Sequence, residues 1–131
     1  MRAFTRISGA GLLLLLACEG PTGPGVTGRW GGPEAAMTLS GQGGTVLYAC
    51  GEGTVDPDWH LSPGGRWSAT GRHYFGGGPA PAQGHPAHPA SYEGLLTPSS
   101  LRFTVTLTDL GEILGPFTLE RNGTGPDNLC L

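Results

Sequence analysis

The clearest pattern along the chain is an alternation of apolar and polar residues from position 101 to 108. The apolar row consists of Leu101, Phe103, Val105 and Leu107. Period-two alternation of this kind predicts a β-strand with one buried face and one wet face. After a turn at residues 109–111, a second row predicts the partner strand of a hairpin, with inward positions Ile113, Gly115, Phe117 and Leu119. Pro116 lies within this second strand and favours an edge or a bulge, because proline cannot donate a hydrogen bond to the ladder.

Shorter alternating segments precede this hairpin, separated by turns rich in glycine and proline. Their inward rows are Met37 and Leu39; Val46, Tyr48 and Cys50; Trp59 and Leu61; Trp67, Ala69, Gly71, His73 and Phe75; and Tyr92, Gly94 and Leu96. No segment shows a sustained helical period. Short strands with short connections predict an all-β domain at residues 26–131, an antiparallel up-and-down meander forming a small barrel or a sandwich.

The N-terminus has the organisation of an export signal. Two arginines precede an apolar stretch that is shorter than the roughly 20 residues needed to span a bilayer. The stretch ends in the sequence LLAC at residues 15–18, which resembles the lipobox of bacterial lipoproteins. Glycine and proline after Cys18 predict a flexible tether, so residues 18–25 comprise the cysteine and this tether. The resemblance implies a signal peptide at residues 1–17 and a Cys18 that carries several acyl chains. It also implies a location in the cell envelope, at the outer membrane if the host has one; the alternative is an ordinary secretory signal with an incidental cysteine.

The net charge of the exported chain limits the classes of partner that it is expected to bind. Removing 17 of the 131 residues leaves 114, which suits one domain. Five basic and ten acidic residues remain, a net charge of about −5. Nucleic acid is therefore not expected as a partner, since a basic patch is needed for it. Electrostatic attraction to anionic lipid is not expected either, so contact with the membrane is predicted to depend on the lipid anchor.

The cysteines predict one covalent cross-link. With Cys18 acylated, Cys50 and Cys130 form an even pair in an oxidising compartment, and we predict a disulfide between them. The alternative is two free thiols. The bridge would close a loop of about 80 residues (130 − 50), worth roughly 4.5 kcal/mol in the chain-entropy account.

A long uncharged segment at residues 76–90 interrupts the meander. Loops of this length are usually functional or disordered, so a lid over a site and a mobile insertion without function both remain open. The segment contains His85 and His88, which could bind a transition metal together with His73 or His60. Each of the two precedes a proline in a loop, so their spacing fixes no geometry. They are weak candidates for metal ligands, and the alternative is that they are polar side chains of a mobile loop. We predict no metal and no cofactor.

Gly28-Arg29-Trp30 opens the first predicted strand. This stretch resembles the G-x-W start of the calycins, the lipocalin and avidin group of up-and-down barrels. In that group a late arginine packs over the tryptophan and closes the base of the barrel. The resemblance implies this role for Arg121, through a cation–π contact with Trp30. The alternative is that Trp30 is simply a core aromatic residue.

A second, shorter likeness lies at Tyr48-Ala49-Cys50-Gly51-Glu52-Gly53. It is similar to the Tyr-x-Cys-x-x-Gly stretch of small lipid-anchored lysozyme inhibitors, whose cysteine is bonded to the C-terminal region. Cys130 would match that topology. The rest of the chain departs from that family.

No catalytic motif is present, neither a nucleophile elbow nor a phosphate-binding loop before a helix. We therefore expect a non-enzymatic envelope lipoprotein whose barrel binds a small ligand at its mouth. The residues predicted to line the site are Trp67, His73, Phe75 and Tyr92. His73 could instead be a hydrogen-bonded core residue. The alternative function is a protein-interaction module, such as a hydrolase inhibitor or an envelope-protein partner, with the barrel interior filled by its own side chains.

Overall fold

The structure, a computed structural model, describes residues 25–76, 82 and 84–127. These residues form nine β-strands and no helix. The strands are β1 (Gly28–Gly31), β2 (Ala35–Ser40), β3 (Gly43–Tyr48), β4 (Gly51–Val55), β5 (His60–Leu61), β6 (Arg66–Phe75), β7 (His88–Leu96), β8 (Ser100–Leu107) and β9 (Glu112–Arg121). In the described residues there is accordingly no apolar helix long enough to cross a membrane.

The strands close into an antiparallel barrel. Each strand pairs with its neighbours in the chain, except that β4 pairs with β6, and β9 returns to pair with β1 at Trp30–Arg121. The two-residue β5 pairs with β6 beyond the end of β4, so β4 and β5 share one of the eight positions around the barrel. The predicted all-β meander is therefore confirmed, as a closed antiparallel barrel.

The alternating rows of the sequence form the core. Cross-strand partners share a face, so inward residues from successive strands meet around the axis. The largest fully buried side chains include Trp30, Trp67, Tyr92, Phe103, Met37, Leu39, Leu101, Leu107 and Leu119. Burial of this kind supplies the main favourable term in folding.

The inward row predicted for β9 is wrong in its first half. Phe103 pairs with Phe117 and Val105 pairs with Leu114, so two steps along β8 oppose three along β9. The extra residue is a β-bulge at Gly115 and Pro116, with Gly115 at a φ of 102°. The bulge reverses the alternation: Leu114 packs against the core, whereas Ile113 is 67% exposed. The bulge accommodates Pro116. On the other side of β9, β1 pairs only with Glu120 and Arg121, so among the described residues Pro116 has no strand partner there.

The strand after the long segment also begins earlier than the sequence indicates. β7 starts at His88, opposite His73 of β6, rather than after residue 90. Pro89 is tolerated in the ladder, where its carbonyl accepts a hydrogen bond from the Thr108 N–H at 3.2 Å. Part of the segment, residues 77–81 and 83, lies outside the described residues.

The barrel has two different ends. We call the mouth the end formed by the β1–β2, β3–β4, β6–β7 and β8–β9 connections, and the base the opposite end. At the base, Trp30 donates from Nε1 to the Val26 carbonyl at 2.9 Å. The Arg121 guanidinium lies 4.2 Å above the Trp30 ring and donates to the carbonyls of Thr27 and Gly25. The first described residues therefore enter the barrel at its base.

Candidate functional site

A cavity of about 570 Å³ opens at the mouth of the barrel. It lies between the β1–β2 loop, the β3–β4 turn, the last residues of β6 and the first half of β9. The side chains that bound it include Glu34, Tyr48, His73, Phe75, Leu114 and Phe117. Its size is within the range of small-molecule sites, and its walls are mostly apolar and aromatic.

His73 is the polar centre of this cavity. It lies on the inward face of β6 with 3% of its surface exposed, and its Nδ1 has no hydrogen-bond partner among the described residues. Its ring makes edge contacts with Tyr48 and Phe75, at centroid distances of 5.1 and 4.8 Å. Burial lowers the pKa of His73, the charge of His88 lowers it further, and Glu112 opposes the shift. The imidazole is therefore neutral at pH 7.

Tyr48 supplies a second buried polar group beside His73. Its ring packs against Phe117 at 5.3 Å, and its hydroxyl makes no hydrogen bond of acceptable geometry within the described part of the chain. Burial first, and then the neighbouring Tyr92 hydroxyl, raise the pKa of Tyr48 well above its ordinary value. Tyr92 is close but directs its own proton to the Thr54 carbonyl at 3.0 Å. Tyr48 is therefore a protonated phenol at neutral pH, with its hydroxyl buried beside that of Tyr92.

The rim of the mouth is braced by a histidine–carboxylate pair. His88 Nδ1 lies 2.8 Å from Asp109 Oδ2, which joins the start of β7 to the β8–β9 turn. His88 is the cross-strand partner of His73, and its ring contacts Phe75 at 5.4 Å. The hydrogen bond to Asp109 fixes the orientation of the His88 ring next to the cavity.

The four residues predicted to line a ligand site occupy two different levels of the barrel. His73 and Phe75 border the mouth cavity, with Phe75 37% exposed at its rim. Trp67 and Tyr92 do not border it: both lie in the packed core below, where the Tyr92 hydroxyl donates to backbone carbonyls of β4 and β6. Sequence reasoning missed Tyr48 as a member of the site, although it placed Tyr48 on an inward row.

The histidines do not assemble into a metal centre in the part of the chain that the structure describes. No group of three or more His, Cys, Asp or Glu side chains there could hold a metal ion. His88 is paired with Asp109, and His85 borders a separate small cleft beside the β3–β4 turn. His60 is exposed on β5, towards the base.

The cysteine predictions fall largely outside the described residues. Cys50 lies in the turn between β3 and β4, at the mouth, whereas Cys18 and Cys130 are not among the residues described. After Arg121 the chain turns back, and Gly125 approaches the side chain of Ala36 on β2. This course runs towards the end of the barrel that carries Cys50. The disulfide stays a prediction, as do the signal peptide, the acylation of Cys18 and the tether.

A second depression lies on the outer wall of the barrel. It has a volume of about 550 Å³ and crosses β6, β7 and β8 near the base. Arg66 and Arg102 lie on either side of Leu95 in one cross-strand row, and Leu95 is 48% exposed. Its lining includes these two arginines beside apolar side chains, whereas no arginine of the described chain lines the mouth cavity, so the two differ in charge.

Fold and site together define the class: a closed eight-position antiparallel barrel, packed through its middle and base, with an aromatic cavity at one end. Comparison with protein-family models, curated protein sequences and solved structures gave no match for the chain.

Proposed function

We propose that this chain is a non-enzymatic, lipid-anchored protein of the bacterial cell envelope, with a calycin-like barrel that binds a small ligand at its mouth. The observation that carries the proposal is the cavity beside His73. It combines apolar walls with a buried imidazole nitrogen that lacks a partner among the described residues. A buried polar atom without a partner costs about 1–3 kcal/mol, and a ligand that hydrogen-bonds to it would recover part of that cost.

The base of the barrel supports the calycin-like part of the proposal. Arg121 packs over Trp30 and bonds to the carbonyls of Gly25 and Thr27, which is the arrangement that the G-x-W resemblance implies. These contacts tie the entry of the chain to the end of the last strand. They leave the mouth as the end where side chains and connections are free to form a site.

The position of Gly25 indicates which end of the barrel would face the membrane if Cys18 is acylated. Gly25 lies at the base, on the opposite end of the barrel from His73. A tether from Cys18 to Gly25 spans at most about 25 Å when extended. An acylated Cys18 would therefore hold the base towards the membrane and leave the mouth facing the aqueous side.

Native mass spectrometry tests the ligand proposal. The strands and the core lie within residues 26–121, so a chain without residues 1–18 contains the whole barrel. It is purified from a bacterial periplasm without reducing agent. We expect an adduct of small-molecule mass that is lost on denaturation and that is weaker in a His73→Phe variant. A bare mass in every preparation, together with no binding of added apolar probes, would contradict the proposal.

A second candidate function is a protein-interaction module, for example an inhibitor of a lysozyme-type hydrolase. Two observations favour it: the barrel is filled below the mouth, and the outer wall has a cleft with Arg66, Arg102 and exposed Leu95. Capture from envelope extracts would identify such a partner. A partner bound by the wild type and lost with Leu95→Glu, but retained with His73→Phe, would assign it to the outer wall rather than to the mouth.

A further inference from the structure

The charges near the mouth are acidic and unbalanced. Glu34 borders the cavity, and Glu112 is close enough to His73 to act on its ionisation. Glu112 pairs with buried Leu107 across β8 and β9, so it points to the inner side of the rim. Among the described residues, no arginine borders the cavity. The arginines of the described chain lie elsewhere, on outer positions or at the base: Arg29, Arg66, Arg72, Arg102 and Arg121.

The uncharged side chains of the mouth also favour the binding of a cation. Tyr48, Phe75 and Phe117 present aromatic rings, which attract a cation held over their faces. His73 is neutral, so it places no positive charge in the site, and its Nδ1 accepts a hydrogen bond when the ring proton is on Nε2. An anionic ligand would instead meet carboxylates at the rim, with no arginine to compensate.

We infer that the mouth binds an organic cation, an apolar or aromatic group with a protonated amine, in preference to a carboxylate or phosphate of the same size. The inference rests on the proposed ligand-binding function and names its ligand class. The apolar part of such a ligand would contact the aromatic walls. Its ammonium group would lie at the rim near Glu34 and Glu112, or donate to Nδ1 of His73.

Three probes with the same alkyl chain test the preference for a cation separately from ligand binding itself. Octylamine, octanol and octanoate are titrated into the chain without residues 1–18 and followed by calorimetry at low salt. We expect octylamine to bind most tightly and octanoate most weakly. Octanol or octanoate binding as tightly as octylamine would overturn the inference and leave the ligand-binding function standing. No binding by any of the three would overturn both.

Variants of the carboxylates at the mouth test whether these groups cause the preference for octylamine. We expect the double variant Glu34→Gln/Glu112→Gln to weaken octylamine about fivefold, the size typical of exposed ion pairs, and to leave octanol unchanged. Asp58→Asn/Glu120→Gln is the matched control, because it changes the net charge equally at exposed positions that border neither the mouth cavity nor the outer cleft. Equal weakening by both double variants would show a general effect of net charge and would overturn the assignment to the mouth. Circular dichroism verifies that each variant keeps its strand content.

Discussion

Replacing His73 with phenylalanine should stabilise the barrel. The substitution removes the Nδ1 that has no partner among the described residues and keeps a ring between Tyr48 and Phe75. Removing a buried unpaired polar atom recovers about 1–3 kcal/mol. The larger phenyl ring needs extra room, but the adjoining cavity of about 570 Å³ provides it. Allowing for some imperfect packing, we expect a net gain of about 1 kcal/mol in the free energy of unfolding at neutral pH.

The gain should increase as the solution is acidified. In the folded protein the pKa of His73 lies below its ordinary value, chiefly because of burial, so the unfolded chain takes up a proton there more readily. The wild type therefore loses stability as pH falls from the ordinary histidine value of about 6.5 towards the lowered value, whereas the phenylalanine variant loses none at this position.

Urea unfolding of oxidised protein at about pH 7.5 and about pH 5 measures both effects, since the midpoint moves while the slope stays constant. His60→Phe is the control: it makes the same chemical change at an exposed position and should alter stability by less than about 0.5 kcal/mol. If His73→Phe is less stable than the wild type at both pH values, Nδ1 has a partner in the native protein and the reasoning fails. The stabilised variant should also bind octylamine more weakly, a trade of function for stability.

Three further changes test the architecture. Gly71→Ala should cost about 3 kcal/mol or more, because a Cβ there would lie 1.9 Å from a backbone carbonyl oxygen of β4; Gly64→Ala, with nothing within 4 Å, should be nearly neutral in the same thermal melt. Arg121→Lys should lower the free energy of unfolding by about 2 kcal/mol, since lysine cannot both donate to the carbonyls of Thr27 and Gly25 and cover the Trp30 indole. An unchanged melting temperature would contradict a stabilising role for Arg121 at the base. Reduction should lower stability by up to about 4.5 kcal/mol if Cys50 and Cys130 are bonded; thiol labelling of both cysteines in unreduced, denatured protein would contradict the bond.

Most of the fold follows from alternation, because every strand of a closed barrel has one face in the core and one in water. The pattern failed where the count of residues on paired strands differs. At Gly115 and Pro116 the bulge inserts one residue into β9, so Ile113 turns outward and Leu114 inward. Pro116 indicated from the sequence alone that the strand is irregular. It could not show which residues of β9 change from the inward to the outward face, because that depends on their register with Phe103 and Val105.

The site was harder to predict than the fold, since alternation gives the face of a residue but not its height along the barrel axis. Trp67, His73 and Phe75 share one inward row, yet Trp67 lies towards the base and the other two lie at the mouth. Tyr48 joins them only because β4, and then β6, close next to β3. That neighbourhood is a property of the closed sheet, and no local motif records it.

The distribution of unsatisfied polar atoms argues that the mouth, rather than the core, carries the function. Within the described residues, three buried side-chain atoms lack a partner, and two of them, on Tyr48 and His73, border the mouth cavity. The third is Nε1 of Trp67, a ring that adjoins the outer cleft. Deeper polar groups are satisfied, as Trp30 and Tyr92 show by bonding to backbone carbonyls. A core under selection for stability alone would replace unpaired atoms with carbon. Their concentration beside the mouth cavity is therefore the feature that the proposed ligand-binding function accounts for, and a packed core without a ligand does not.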